Sequence, residues 1–225
     1  MKSVLFSTFV FCTYLLAAQN NATIPLEDFT ELQVYDRISV TLVKGDENKI
    51  EIPASDKKDL SITENDGRLR LKMCSGESVL NTILSLKLYY TEALSIIDAN
   101  KNSRIISTGL VIGTDLAIEA QDASTITLNI AYNNVSAKST SGSEIKLSGT
   151  SSHQEVMINT GGKLLNQGLK TKSSTVIVLS GGSAEVYASE AVIAKVKAGG
   201  AITIYGNPTS VDKDDTFGGK IAIVE

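Results

Sequence analysis

The chain has no tryptophan, one histidine, two cysteines and three prolines in 225 residues. The lone His153 cannot build an imidazole-based metal cluster. It stands in the polar stretch Thr150-Ser151-Ser152-His153-Gln154, which reads as a solvated loop. Cys12 lies inside an apolar leader, so Cys74 alone remains and no intramolecular disulfide can form. A Cys–His nucleophile would need His153 to reach Cys74 across the fold, and Cys74 reads instead as a buried or semi-exposed structural thiol. With no Trp and few Arg, the chain lacks the aromatic platforms and cations common in sugar-cleaving grooves. Net charge is −4, and no Lys/Arg block or basic stripe breaks the mixture of signs, which speaks against nucleic acid. After Leu16 no run is long and apolar enough to cross a membrane as a helix.

The first eighteen residues have the layout of a secretory signal peptide. Met1-Lys2 gives a small positive start, Val4–Leu16 is largely apolar, broken by Ser7, Thr8 and Thr13, and Ala17-Ala18 offers small residues for cleavage. An apolar run this short is poor as a membrane anchor. Export to the periplasm, the outer membrane or the extracellular space is therefore expected.

What the sequence has in abundance is Gly, Ser, Thr, Asn and branched aliphatics. Residues 24–90 read as ordinary short strands with alternating apolar positions, for example Ile38-Ser39-Val40-Thr41-Leu42-Val43. Asn65-Asp66-Gly67 between two such runs signals a hairpin. Leu84–Tyr90 gives a further strand.

From about residue 94 one unit recurs: short strand, small-residue corner, short strand. The corners are Lys101-Asn102, Asp122-Ala123, Ser141-Gly142, Gly161-Gly162, Gly181-Gly182, Gly199-Gly200 and Gly218-Gly219, spaced 21, 19, 20, 20, 18 and 19 residues apart. One such unit cannot bury its apolar side alone, but stacked coils join into one core. Dense β-branched residues exclude helices. An antiparallel sandwich is the main rival, and it does not explain the fixed corner spacing. The Gly-Gly corners call for positive φ. Where Lys101-Asn102 or Asp122-Ala123 stands instead, a gentler bend or a left-handed Asn is predicted. Ser124, Ser143 and Ser183, just after corners, are candidates for a hydrogen-bonded ladder. The 24–90 region is expected to pack against or continue one end of the 94–225 solenoid, with 24–225 forming one continuous unit. Charges around Lys220–Glu225 would discourage strand addition at the other end.

The opening Phe29-Thr30-Glu31-Leu32-Gln33-Val34 with Ile38–Gly45, the elements Ser139-Thr140-Ser141-Gly142-Ser143 and Ser180-Gly181-Gly182-Ser183, and the closing Ile204-Tyr205-Gly206-Asn207-Pro208 with Gly218-Gly219-Lys220-Ile221 carry a resemblance. The chain resembles, over about residues 29–223, the family called putative auto-transporter adhesin, head GIN domain. The resemblance implies an all-β, right-handed parallel β-helix-like solenoid in an exported, cell-envelope protein. It supplies no catalytic residues. Asp122-Ala123-Ser124 and Gly161-Gly162-Lys163 depart from the family's Ser-Gly-Ser runs.

No catalytic, cofactor-binding or metal-binding set is assigned from the sequence, and no cofactor is expected. Glycosidase chemistry would need paired carboxylates, for which Glu119, Asp122 and Glu144 are the stacked candidates against a plain solvated face. Asp212-Lys213-Asp214-Asp215 lacks the glycine and closing glutamate of a helix–loop–helix calcium site and reads as a charged turn. Asn21-Ala22-Thr23 and Asn134-Val135-Ser136 match glycosylation sequons, which would mean nothing by themselves if the chain is bacterial. The leading expectation is a non-enzymatic adhesin-like or scaffold protein that meets a glycan or protein partner through a solenoid face. Tyr89, Tyr90, Tyr132, Tyr187 and Tyr205 are candidates for an exposed aromatic strip, with Tyr187 and Tyr205 at like repeat positions. The alternatives are a carbohydrate-active β-helix enzyme and a periplasmic partner-binding or sensory domain.

Overall fold

A computed structural model describes residues 20–74 and 83–224; the leader 1–18 lies outside the described residues. The N-terminal strands are β1 (Asn21–Pro25), β2 (Glu31–Val34), β3 (Ile38–Lys44), β4 (Lys49–Pro53), β5 (Leu60–Asn65), β6 (Arg68–Met73) and β7 (Leu84–Tyr90). Then come β8 (Ile96–Ala99), β9 (Arg104–Ile112), β10 (Asp115–Ala120), β11 (Thr125–Ser139), β12 (Glu144–Ile158), β13 (Lys163–Lys170) and β14 (Ser173–Val178). The last are β15 (Ser183–Tyr187), β16 (Ala191–Val196), β17 (Ala201–Tyr205), β18 (Ser210–Asp215) and β19 (Lys220–Val224). They form a parallel β-solenoid of about seven turns with about 19 residues per turn.

Two long sides run the length of the stack. Side A orders its strands β6-β2-β8-β10-β11-β12-β14-β16-β18, all parallel, using the C-terminal halves of β11 and β12. Side B orders β7-β3-β9-β11-β12-β13-β15-β17-β19, using the N-terminal halves of β11 and β12. In the middle coils the chain bends, with register shifts after Thr127 and Lys146, into a short third side. There Val111, Ile130 and Leu169 point inward and are fully buried.

Strict alternation drives this arrangement. On β10, Leu116, Ile118 and Ala120 face the core, and on β12 Ile145 and Leu147 do so before the bend and Val156 and Ile158 after it. In-register stacking at the spacing of about 4.8 Å between strands turns each inward position into a continuous apolar column. Every fully buried Leu or Ile contributes roughly 1.5–3 kcal/mol.

The strands of 24–90 enter the same ladder out of chain order. The coil built from β2 and β3 sits between the β6–β7 coil and the β8–β9 coil. Antiparallel strands finish that end: β5 beside β6, and β4 then β1 beside β7. The Asp66-Gly67 turn of the expected hairpin joins β5 to β6, both residues at positive φ.

The corners between sides A and B are two successive left-handed residues, the conformation of a type I′ turn, but two of the expected glycine pairs are displaced by one residue: the left-handed pairs are Thr160-Gly161 and Phe217-Gly218, and neither Gly162 nor Gly219 has positive φ. Asp36 and Arg37 (φ 60 and 61) form such a corner too, one that the sequence period does not reveal. Lys101-Asn102 and Asp122-Ala123 are not gentler bends: all four residues have φ between 52 and 59. An L side chain in this region costs roughly 1–2 kcal/mol. A ladder of backbone hydrogen bonds enforces it, from Arg37 N–H to Lys101 O, Asn102 N–H to Asp122 O, Ala123 N–H to Ser141 O and Gly142 N–H to Thr160 O.

Behind the corners, Ser103, Ser124 and Ser143 are buried. Ser103 Oγ donates to Val34 O (3.0 Å), and Ser143 Oγ donates to Ala120 O (2.7 Å). Ser183 does not join them, because Gly182 holds the equivalent position: Ser183 pairs with Lys163, the residue after Gly162. Asp212–Asp215 is not a turn but the exposed edge strand β18, and Thr150–Gln154 is not a loop but the middle of β12. In both places backbone pairing to the neighbouring coil overrides polar composition.

Candidate binding face on side A

The outward residues of side A form three rows along the solenoid axis. Asp115, Asn134, His153 and Ser173 are successive register partners in the first. Ala117, Ser136, Glu155, Thr175 and Ile193 form the second, and Asp98, Glu119, Lys138, Met157 and Ile177 the third. The parallel register sets this geometry, since each coil places its equivalent residue directly above the last.

The first row is tied by side-chain hydrogen bonds. Asn134 Nδ2 donates to Asp115 Oδ1 at 2.7 Å, and His153 Nδ1 lies 2.8 Å from Ser173 Oγ. His153 is thus a half-buried strand residue with a fixed ring. Beside this row the small side chains of Ala117 and Ser136 leave a trough of about 340 Å³, bounded by Asp115, Asn134, His153 and Glu155. Carboxylate, amide and imidazole groups line one wall, polar side chains suited to the hydroxyls of an extended ligand. Further along, exposed Met157 and Ile193 flank half-buried Ile177 in an apolar patch.

In the third row Asp98 and Glu119 are register partners. Burial pushes the Asp98 carboxyl up to about 6, the Glu119 charge adds to the rise, and the Asn100 amide donating at 2.6 Å opposes it. Glu119 is held by Lys138 at 3.7 Å. Among the described residues no group of three or more His, Cys, Asp or Glu gathers to hold a metal ion.

The sequence candidates are scattered. Glu119 lies on side A, Asp122 at a corner with φ 52, and Glu144 at the start of side B. These three do not converge. The tyrosines form no single strip either. Tyr90 and Tyr132 are buried, with Tyr132 Oη donating to Leu94 O at 2.8 Å. Tyr89 donates to Glu51 at 3.0 Å, a bond that raises its phenol above the ordinary value. Tyr187 and Tyr205 do meet as register partners, with Lys170 Nζ 3.7 Å over the Tyr187 ring. Cys74 is exposed. The Asp115–Asn134–His153–Ser173 row was missed because no single residue in it is distinctive. Its signal is the spacing of 19 and 20 residues between polar side chains on successive coils.

The sequence profile of the putative auto-transporter adhesin, head GIN domain family matches residues 28–208. The chain belongs to that family. Among solved structures, a putative adhesin from Bacteroides fragilis NCTC 9343 superposes with a TM-score of 0.84 at 15% identity, covering 91% of this chain and 96% of that one. A putative adhesin from Parabacteroides merdae ATCC 43184 gives 0.71 at 15% identity, covering 92% and 96%. A putative lipid binding protein from Parabacteroides distasonis ATCC 8503 gives 0.67 at 16% identity, covering 92% and 96%. At these identities the likeness is one of fold. No curated protein matches the chain significantly. No helix among the described residues is long and apolar enough to cross a membrane.

Proposed function

We propose that this head GIN domain protein is an exported, non-catalytic protein of the cell envelope or surface that holds a glycan along the trough of side A. The carrying observation is the axial row Asp115–Asn134–His153–Ser173 beside the small-residue floor of Ala117 and Ser136. Such a row offers hydrogen-bonding side chains at the strand spacing on successive coils. The adhesin descriptions of the family and of its structural relatives support a binding role.

A second reading, a carbohydrate-active enzyme, rests on the adjacent Asp98 and Glu119. A carboxyl raised to about 6 beside a second carboxyl group is the pattern sought for a paired acid and nucleophile or base. Against it, neither residue lines the trough.

A glycan array probed with the purified protein, with and without calcium, separates the readings when each bound glycan is then examined for cleavage. Binding that leaves the glycan intact supports the binding role. Turnover that disappears in Glu119→Gln overturns it in favour of the enzyme.

A further inference from the structure

Four arginines occur in the chain, and they divide into two pairs. Arg68 binds Glu31 at 2.6 Å and Arg70 binds Gln33 at 2.9 Å. Among the described residues the Arg37 and Arg104 side chains make no ion pair or hydrogen bond. Both line one cavity of about 470 Å³ where the corner meets side B, together with Ser39, Asn102, Thr125 and Ile83.

Among the described residues neither guanidinium is tied into the fold by an ion pair or a side-chain hydrogen bond. Arg37 occupies the second left-handed position of its corner, φ 61, where the following corners carry Asn102, Ala123 and Gly142. A long cationic side chain is therefore held in a conformation that later coils assign to small residues. Arg104 stands outward on side B between its register partners Ser39 and Thr125, neither of which carries charge. The nearest acidic neighbour of Arg37 in sequence, Asp36, is engaged by Lys101 at 3.5 Å. What remains, among the described residues, is two guanidinium forks without a polar partner, three hydroxyl or amide side chains, and an apolar face from Ile83, which is 68% exposed.

We propose that this corner cleft is a second binding site, taking the carboxylate or sulfate group of an acidic saccharide. Guanidinium forks match the planar, paired oxygens of these groups and bind them bidentately. Ser39, Asn102 and Thr125 suit the ring hydroxyls, and Ile83 suits the apolar C–H face of a pyranose. The volume fits one or two sugar rings. The inference rests on the glycan-binding reading above but places its ligand on a different surface from the side A trough.

Calorimetric titration of the purified protein tests it with three probes: an oligogalacturonate for the carboxylate, a sulfated oligosaccharide for the sulfate, and a neutral maltooligosaccharide. Arg37→Gly suits the left-handed corner and is expected to leave Tm unchanged or higher, so lost binding cannot be ascribed to unfolding. The expected result is binding of at least one acidic probe, weakened tenfold or more by Arg37→Gly or Arg104→Gln and abolished by both. Acidic probes binding no better than the neutral one, or binding unmoved by the double variant, overturns the cleft. If neutral glycans still bind in that case, the side A reading stands without it. Binding of a poly-glutamate peptide through these arginines, with no saccharide bound, overturns the saccharide assignment.

Discussion

Asp98 and Glu119 stand side by side on the outer surface of side A, register partners on adjacent coils, and the Asp98 carboxyl is held near 6 by burial and by the Glu119 charge. Its folded value lies above the ordinary 3.8, so between those pH values the folded chain binds more protons than the unfolded one. Stability therefore falls as pH rises from 3.8 through about 6 and stays lowered above it. Asp98→Asn removes this penalty, and its side-chain oxygen can still accept from Asn100. At pH 7 the variant is expected to gain about 2 kcal/mol, raising Tm by roughly 4–8 °C. Thermal unfolding of both proteins from pH 3.5 to 7.5 checks this; the two curves should converge at the acid end.

Gly182 and Gly142 both have positive φ, yet a side chain meets different surroundings at each. A Cβ at Gly182 would lie 2.3 Å from Gly162 O and 2.8 Å from Ile158 Cγ2, whereas at Gly142 nothing lies within 4 Å. Gly142→Ala should cost about 1 kcal/mol, the left-handed penalty alone. Gly182→Ala should cost about 3 kcal/mol or more, because backbone of the preceding coil must move. Denaturant unfolding of the two variants gives the comparison.

Much of the fold was legible in the sequence, because alternation and corner spacing report stacking directly. The β2–β3 coil was not. Its corner, Asp36-Arg37, lies 65 residues before Lys101, and the inserted β4–β7 segment hides the period. The face was less legible still. His153 and Ser173 become partners only through parallel register, and residue type alone made His153 a loop residue. Arg37 carried no local signal at all, since a left-handed arginine is unusual and only the corner ladder reveals it.

The interior polar cluster around Gln154 provides a third expectation. Gln154 and Asn166 are fully buried; Gln154 Nε2 donates to Ser174 Oγ at 2.9 Å, and its Oε1 accepts from Asn166 Nδ2 at 3.2 Å. Gln154→Leu is more apolar but leaves Asn166 Nδ2 unpartnered, so it should destabilise by about 1–3 kcal/mol. A rise in Tm would contradict the assignment of this cluster as a satisfied network.

The corner serines should differ from one another. Ser143 Oγ donates to Ala120 O and accepts from Thr140 N–H at 3.0 Å, so Ser143→Ala should cost about 1 kcal/mol. Ser183→Ala, outside the ladder, should stay within about 0.5 kcal/mol of the parent. Equilibrium urea unfolding resolves the difference.

The most direct test of the proposed binding face is to fill its trough. Ser136 is exposed at the trough floor, so Ser136→Trp adds bulk there without touching the core. Affinity for a glycan identified on the array should be measured for this variant and the parent, with Tm recorded for both. The expected result is an unchanged Tm and binding weakened at least a hundredfold. Equal affinity in the two proteins would contradict a ligand lying along side A.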